Sequence, residues 1–146
     1  IATNGRADYE RVLSGPGLVN VHRFFHPHGC PALDLAADPT SLPAAISRAA
    51  LEHRCPDCVR SLRLFVSVYG AEAGNLALRS VASAGLFVGG GIAPKILPAL
   101  QDGTFMAAFL DKAPMSDFIV DVPVAVILND RTGLLGAAVH ANQAAG

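Results

Sequence analysis

Two glycines inside the longest helical pattern of the chain dictate what must pack against it. Pro56 suits a first helical turn, where its missing N–H costs no hydrogen bond, and Asp57 follows it. From there Val59, Leu62, Phe65, Val66, Tyr69, Ala73, Leu76 and Ala77 recur at helical spacing. Gly70 and Gly74 fall within the pattern, flanked by alanines. Each glycine costs a helix about 1 kcal/mol relative to Ala, so close approach of a second backbone is the expected compensation. The pattern predicts a central helix with another element lying directly on its glycines.

The rest of the chain alternates. Asp8 is placed to cap a short helix over Tyr9 to Leu13, and Ser14 to cap a second from Pro16 to Phe25, with Leu18, Val21, His22 and Phe25 on one face. Residues 26–43 hold four prolines and little periodicity and read as a loop, followed by a helix over 42–52. Leu86-Phe87-Val88 and Pro123 to Leu128 read as strands buried on both faces. The first delivers Gly89-Gly90-Gly91 to a helix over Ile92 to Leu100. Phe105 to Leu110 and Met115 to Val120 are short helical segments, and Thr132 is expected to cap a final alanine-rich helix. This alternation gives an α/β class without internal repeats.

Charge and composition remove several functions. With 11 basic and 12 acidic side chains in 146 residues, no excess of cations is available to neutralise phosphates, so a nucleic-acid partner is not expected. Hydrophobic residues at 51% against 16% charged predict a folded, globular chain. The uncharged stretch Ser80 to Pro94 is shorter than the roughly 20 residues a bilayer requires and contains four glycines, so no membrane span is expected. The chain opens on Ile1 without a basic-then-apolar leader, which predicts further sequence upstream and no signal peptide. Three cysteines, Cys30, Cys55 and Cys58, are too few and odd in number for a disulfide scaffold and favour a cytoplasmic location.

Several constellations carry chemistry. Glycines between a strand and a helix let backbone amides approach an anion, so Gly89 to Gly91 suit either a nucleotide contact or a tight structural turn. Glu10 precedes a Gly-Pro-Gly elbow, where a carboxylate either accepts hydrogen bonds from ligand hydroxyls or stands solvated. His22, His26, His28 and Cys30, with His53, Cys55 and Cys58, could be drawn as a zinc site. One Cys-x-x-Cys without a partner pair is poor spacing for one, so the expectation is packed thiols and no metal. A redox-active dithiol is disfavoured because the pair follows a helical stretch. No Gly-x-Ser-x-Gly elbow and no protein-kinase motif is present.

Five runs in order carry a resemblance: Glu-Arg-Val-Leu-Ser-Gly-Pro-Gly-Leu-Val-Asn at 10–20, Tyr-Gly-Ala-Glu-Ala-Gly-Asn-Leu-Ala-Leu at 69–78, Gly-Gly-Ile-Ala-Pro-Lys at 90–95, Ala-Ala-Phe-Leu-Asp-Lys at 107–112 and Gly-Leu-Leu-Gly-Ala-Ala at 133–138. Together they closely resemble the C-terminal half of the bacterial-type glucokinases, members of the sugar-kinase, heat-shock ATPase and actin superfamily. The resemblance implies an α/β fold, the C-terminal portion of an actin-like ATPase (ribonuclease H-like) sugar-kinase lobe, helix-rich with a small sheet, and makes residues 1–146 the last part of a large lobe. It implies ATP-dependent phosphorylation of glucose to glucose 6-phosphate with Mg2+-ATP as donor, and allows a homodimer of the full-length protein. It gives Glu10 a sugar-binding role and places Gly90 and Gly91 at the adenosine pocket, with Gly89 where the family usually has Ala. Ile92 and Asn75 follow by position alone. The family's Asp-x-Gly-Gly-Thr phosphate loop, its Asn-Asp catalytic base, its second glycine-rich phosphate segment and its Glu-Gly-Gly-His sugar motif have no counterpart in the 146 residues, so the chain alone is expected to be inactive. The alternative reading is a noncatalytic sugar-kinase-like lobe that binds a ligand or a partner.

Overall fold

A computed structural model describes residues 8–27, 30–33 and 40–145. His28 and much of the 26–43 segment lie outside the described residues. A single 3-10 turn, Tyr9–Arg11, leads into helix α1 (Gly15–Phe25), and α2 (Leu42–Leu51) and the long α3 (Pro56–Arg79) follow. Strand β1 (Leu86–Val88) passes through a 3-10 turn (Ala93–Ile96) to α4 (Leu97–Leu100), α5 (Thr104–Leu110) and α6 (Ser116–Ile119). Strand β2 (Val124–Val126) and α7 (Thr132–Ala144) end the order. The strands pair in parallel with Leu86 opposite Val124 and Val88 opposite Val126. The class is α/β, rich in helix and with a small sheet.

Helix α3 is the spine. Its buried stripe is Cys58, Ser61, Leu62, Phe65, Val66, Gly70, Ala73, Gly74 and Ala77, the i, i+3, i+4 recurrence of one face. α5 lies on the glycines: a Cβ built on Gly70 would fall on the carbonyl oxygen of Phe105, and one on Gly74 on that of Phe109. Any side chain there would push the helices apart, which accounts for two residues that weaken the helix by themselves. The rings of Phe65, Tyr69 and Phe105 meet edge to face at 6.0 and 5.8 Å along the same seam. Phe65 and Phe109 are almost completely buried, and each side chain contributes about 1.5–3 kcal/mol by leaving water. Leu76, expected on the stripe, is 46% exposed because it flanks the line of small residues that α5 covers.

Three further expectations need correction. The sheet is not buried on both faces: Val88 is buried, whereas Phe87 is 70% exposed and Ala125 is also exposed, because among the described residues helices cover one side only. The expected helix over 92–100 is broken into a 3-10 turn and α4, since Pro98 lacks the N–H needed to continue a single helix. Thr132 does not cap α7 but is its first residue, and its hydroxyl donates to the Asn129 carbonyl at 2.8 Å. Asn129 Oδ1 takes the Arg131 N–H instead at 3.0 Å. No residue of α7 is buried, and Leu134 and Leu135 are 73% and 55% exposed.

Candidate functional site

Glu10 stands on a turn that its neighbours lock. Asp8 caps the turn by accepting from the Arg11 N–H at 3.2 Å. The Ser14 hydroxyl donates to the Glu10 carbonyl at 2.7 Å and accepts from the Gly17 N–H at 2.9 Å, so one side chain caps α1 and ties the preceding turn to it. Gly17 must be glycine: a Cβ there would overlap the Val12 carbonyl and lie 2.9 Å from that of Glu10. Asn20, one turn further along α1, donates from Nδ2 to the Arg11 carbonyl at 3.2 Å. The backbone is therefore fixed at both ends while the Glu10 side chain stays exposed, free to accept hydrogen bonds from outside the chain.

On the other side of α1 a cavity of about 240 Å3 opens between the helices and the glycine loop. Ser14 and Gly15 at the head of α1, Phe65 of α3, and Gly91, Ile92 and Lys95 line it. Lys95 is the one charged residue lining it among the described residues. Gly90 has φ of +98°, a conformation that favours glycine, and a Cβ on Gly90 or Gly91 would meet nothing within 4 Å. The loop thus presents bare backbone to open space, where a flat ligand can approach main-chain atoms. Ser14 belongs both to this cavity and to the Glu10 turn, which joins the two candidate ligand contacts through one residue.

The family model for Glucokinase matches residues 2–144. The chain belongs to the glucokinase family. It is 41% identical to the glucokinase of Synechocystis sp. over 95% of its length and 40% identical to that of Shigella dysenteriae over 97%. In each case it spans 43% of the relative. The crystal structure of a glucokinase from an Antarctic psychrotroph superposes with a TM-score of 0.75 at 35% identity, covering 91% of this chain and 40% of that one. The chain accordingly corresponds to less than half the length of these glucokinases.

Of the residues singled out in this glucokinase-family sequence, Gly91 and Ile92 line the cavity and Gly90 adjoins it. Asn75 is not among the lining residues. It sits within α3, ten residues beyond Phe65 and so about 15 Å further along the axis. Its Nδ2 donates to Glu72 Oε2 at 3.1 Å. Sequence reading missed Lys95 and the lock formed by Ser14, Gly17 and Asn20. The signal was present in the unbroken Ser-Gly-Pro-Gly run, where a cap, a Pro and two glycines crowd one helix start.

A second cluster lies at the other end of α1. Cys30, Cys55 and Cys58 are 4%, 6% and 0% exposed, with Sγ separations of 3.4 Å (Cys30–Cys55) and 3.8 Å (Cys30–Cys58). None is in a disulfide. Burial, then the Cys55 thiol, raises the pKa of Cys30, and burial with the two neighbouring thiols raises that of Cys58 well above the ordinary range. At Cys55 burial acts in the same direction but is outweighed by the Cys58 backbone amide and the adjacent thiols, and its pKa is lowered. Burial and the charge of His26 lower the pKa of His22, against the opposing influence of Asp57. His26 Nε2 lies 4.0 Å from Asp57 Oδ2. Chain spacing argued against such a meeting; the fold brings together three thiols that 25 and 28 residues separate in sequence.

Proposed function

We propose that the full-length protein transfers the terminal phosphoryl group of ATP to the 6-hydroxyl of glucose in the cytoplasm, with this chain supplying one sugar contact and the adenosine side of the cleft of an actin-like sugar-kinase lobe. The observation that carries the reading is the conjunction of family membership with a glycine loop and a locked glutamate turn that share Ser14. Glu10 accepts hydrogen bonds from sugar hydroxyls, and its fixed backbone limits the entropy lost on binding. Gly90, Gly91 and Ile92 pack against the nucleoside; Asn75 is left out of this contact set.

The cavity of about 240 Å3 is below the roughly 300–1,000 Å3 of sites that enclose a drug-sized ligand. It therefore seats part of a nucleotide, and the remainder lies across its mouth. Among the described residues its lining offers no carboxylate for Mg2+. Mg2+ would enter with ATP and supply charge neutralisation at the phosphates. Lys95 supplies a cation suited to phosphate oxygens. Phosphoryl transfer further needs a carboxylate to orient and deprotonate the acceptor hydroxyl, a role given to residues outside this chain. Phosphorus NMR of the full-length protein with glucose and ATP is expected to show glucose 6-phosphate and ADP in equal amounts. Binding of both ligands without either product would favour the noncatalytic lobe.

A further inference from the structure

The cysteines and histidines at the far end of α1 remain unexplained by sugar phosphorylation. The geometry points to a structural Zn2+ site built on His22, Cys30 and Cys58, whose ligand atoms lie within 4.8 Å of one another, with Cys55, 3.4 Å from Cys30 but outside that triad, turning in as the fourth ligand. The three thiols are the only cysteines of the chain, and they come from different elements: Cys55 precedes α3, Cys58 lies in its first turn, and Cys30 belongs to the segment after α1. A tetrahedral zinc with bonds of about 2.3 Å to sulfur holds its sulfurs about 3.8 Å apart. The Cys30–Cys58 and Cys30–Cys55 distances of 3.8 and 3.4 Å lie close to that edge.

The fourth corner has its own, independent mark. A ring nitrogen of His22 lies within 4.8 Å of the Cys30 and Cys58 sulfurs. His22 is only 4% exposed, and its Nε2 is buried without a hydrogen-bond partner, the one such side-chain atom among the described residues. Buried polar atoms are rarely left unpaired, and a metal would satisfy this one. His26 also approaches Cys30 and Cys55 but is half-buried and stands beside Asp57, where it suits a supporting role rather than the fourth corner. The ligand set is soft and closed, with no corner left for water, which fits a structural zinc and not a catalytic one.

The ion would join the C-terminal end of α1 to the N-terminal end of α3. Arg54 reinforces the same junction by donating from Nη1 to the Ala32 carbonyl at 3.3 Å. Because the other end of α1 carries the lock on Glu10, the metal would set the helix that positions the proposed sugar contact without touching either substrate.

The test uses the full-length protein purified under reducing conditions without added metal. Elemental analysis is expected to find one zinc per chain. Cobalt exchange should give thiolate-to-metal charge-transfer absorption together with the visible bands of a tetrahedral ion. Cys30→Ser and Cys58→Ser should each abolish both signals, and His22→Gln should lower the zinc content. Removing zinc with a chelator should lower the melting temperature of the wild type, with recovery on adding zinc back. If a variant does not fold, the chelation series on the wild type decides alone. A reduced, folded protein that contains no zinc, takes up no cobalt and melts at the same temperature with or without zinc overturns the site. A Cys30–Cys55 disulfide in fresh protein, with no metal bound after reduction, overturns it equally. These readouts are independent of kinase activity, so a failed metal site leaves the functional proposal standing.

Discussion

Expressed by itself, the 146-residue chain is expected to form no glucose 6-phosphate above a blank and to elute as large associated species. Turnover by phosphoryl transfer depends on positioning the phosphates and on a carboxylate at the acceptor hydroxyl. The resemblance places the family's phosphate loops and its Asn-Asp base outside this chain, which spans 43% of its curated relatives. Association follows from exposed apolar surface. Phe87, Leu128, Leu134 and Val139 are 70%, 63%, 73% and 57% exposed, and β1 and β2 pair only with one another, leaving both outer edges open among the described residues. Such edges and patches recruit other chains. Product formation by host-kinase-free chain would contradict the first part. A monomeric elution volume with a cooperative thermal transition would contradict the second.

In the full-length protein, Glu10→Gln is expected to raise the glucose KM by about 10- to 150-fold, the equivalent of the roughly 1.5–3 kcal/mol carried by hydrogen bonds to a charged group. The ATP KM should hardly change, because Glu10 does not line the cavity beside the glycine loop. The fold should also survive. What ties the turn to α1 is the Glu10 carbonyl, which accepts from Ser14, and not the exposed carboxylate. Steady-state kinetics with each substrate varied in turn separates these effects. An unchanged glucose KM removes Glu10 from the sugar site.

Local chemistry was legible in the sequence; closure in space was not. The Asp8 and Ser14 caps, Pro16 and Pro56 in first turns, and the close approach at Gly70 and Gly74 all follow from residues within one turn of each other or from a cost that only packing can offset. The missed points are tertiary. Whether Phe87 meets a helix depends on what covers the second face of the sheet, and an apolar strand reads the same in either case. Arg131 holds the cap position of α7 without a side-chain bond, and the Thr132 hydroxyl turns back to the Asn129 carbonyl, a local bond that competes with capping. The thiols meet only because the segment after α1 returns Cys30 to the head of α3, which no Cys-x-x-Cys count reveals. Ser14 was visible as a cap, but its second bond to the Glu10 carbonyl depends on how the preceding turn folds back.

With one short stretch of chain proposed to hold the sugar and a separate loop the nucleoside, the two ligands should protect different segments. Hydrogen–deuterium exchange on the full-length protein, with glucose and a non-hydrolysable ATP analogue added separately, tests this most directly. Glucose is expected to slow exchange over residues 10–17, where the Ser14 lock holds the Glu10 turn, and to change the glycine loop much less. The ATP analogue is expected to slow exchange over residues 89–96, where bare backbone faces the cavity. Protection of neither segment by its ligand, or protection of the glycine loop by glucose and of the Glu10 turn by the analogue, would contradict the account.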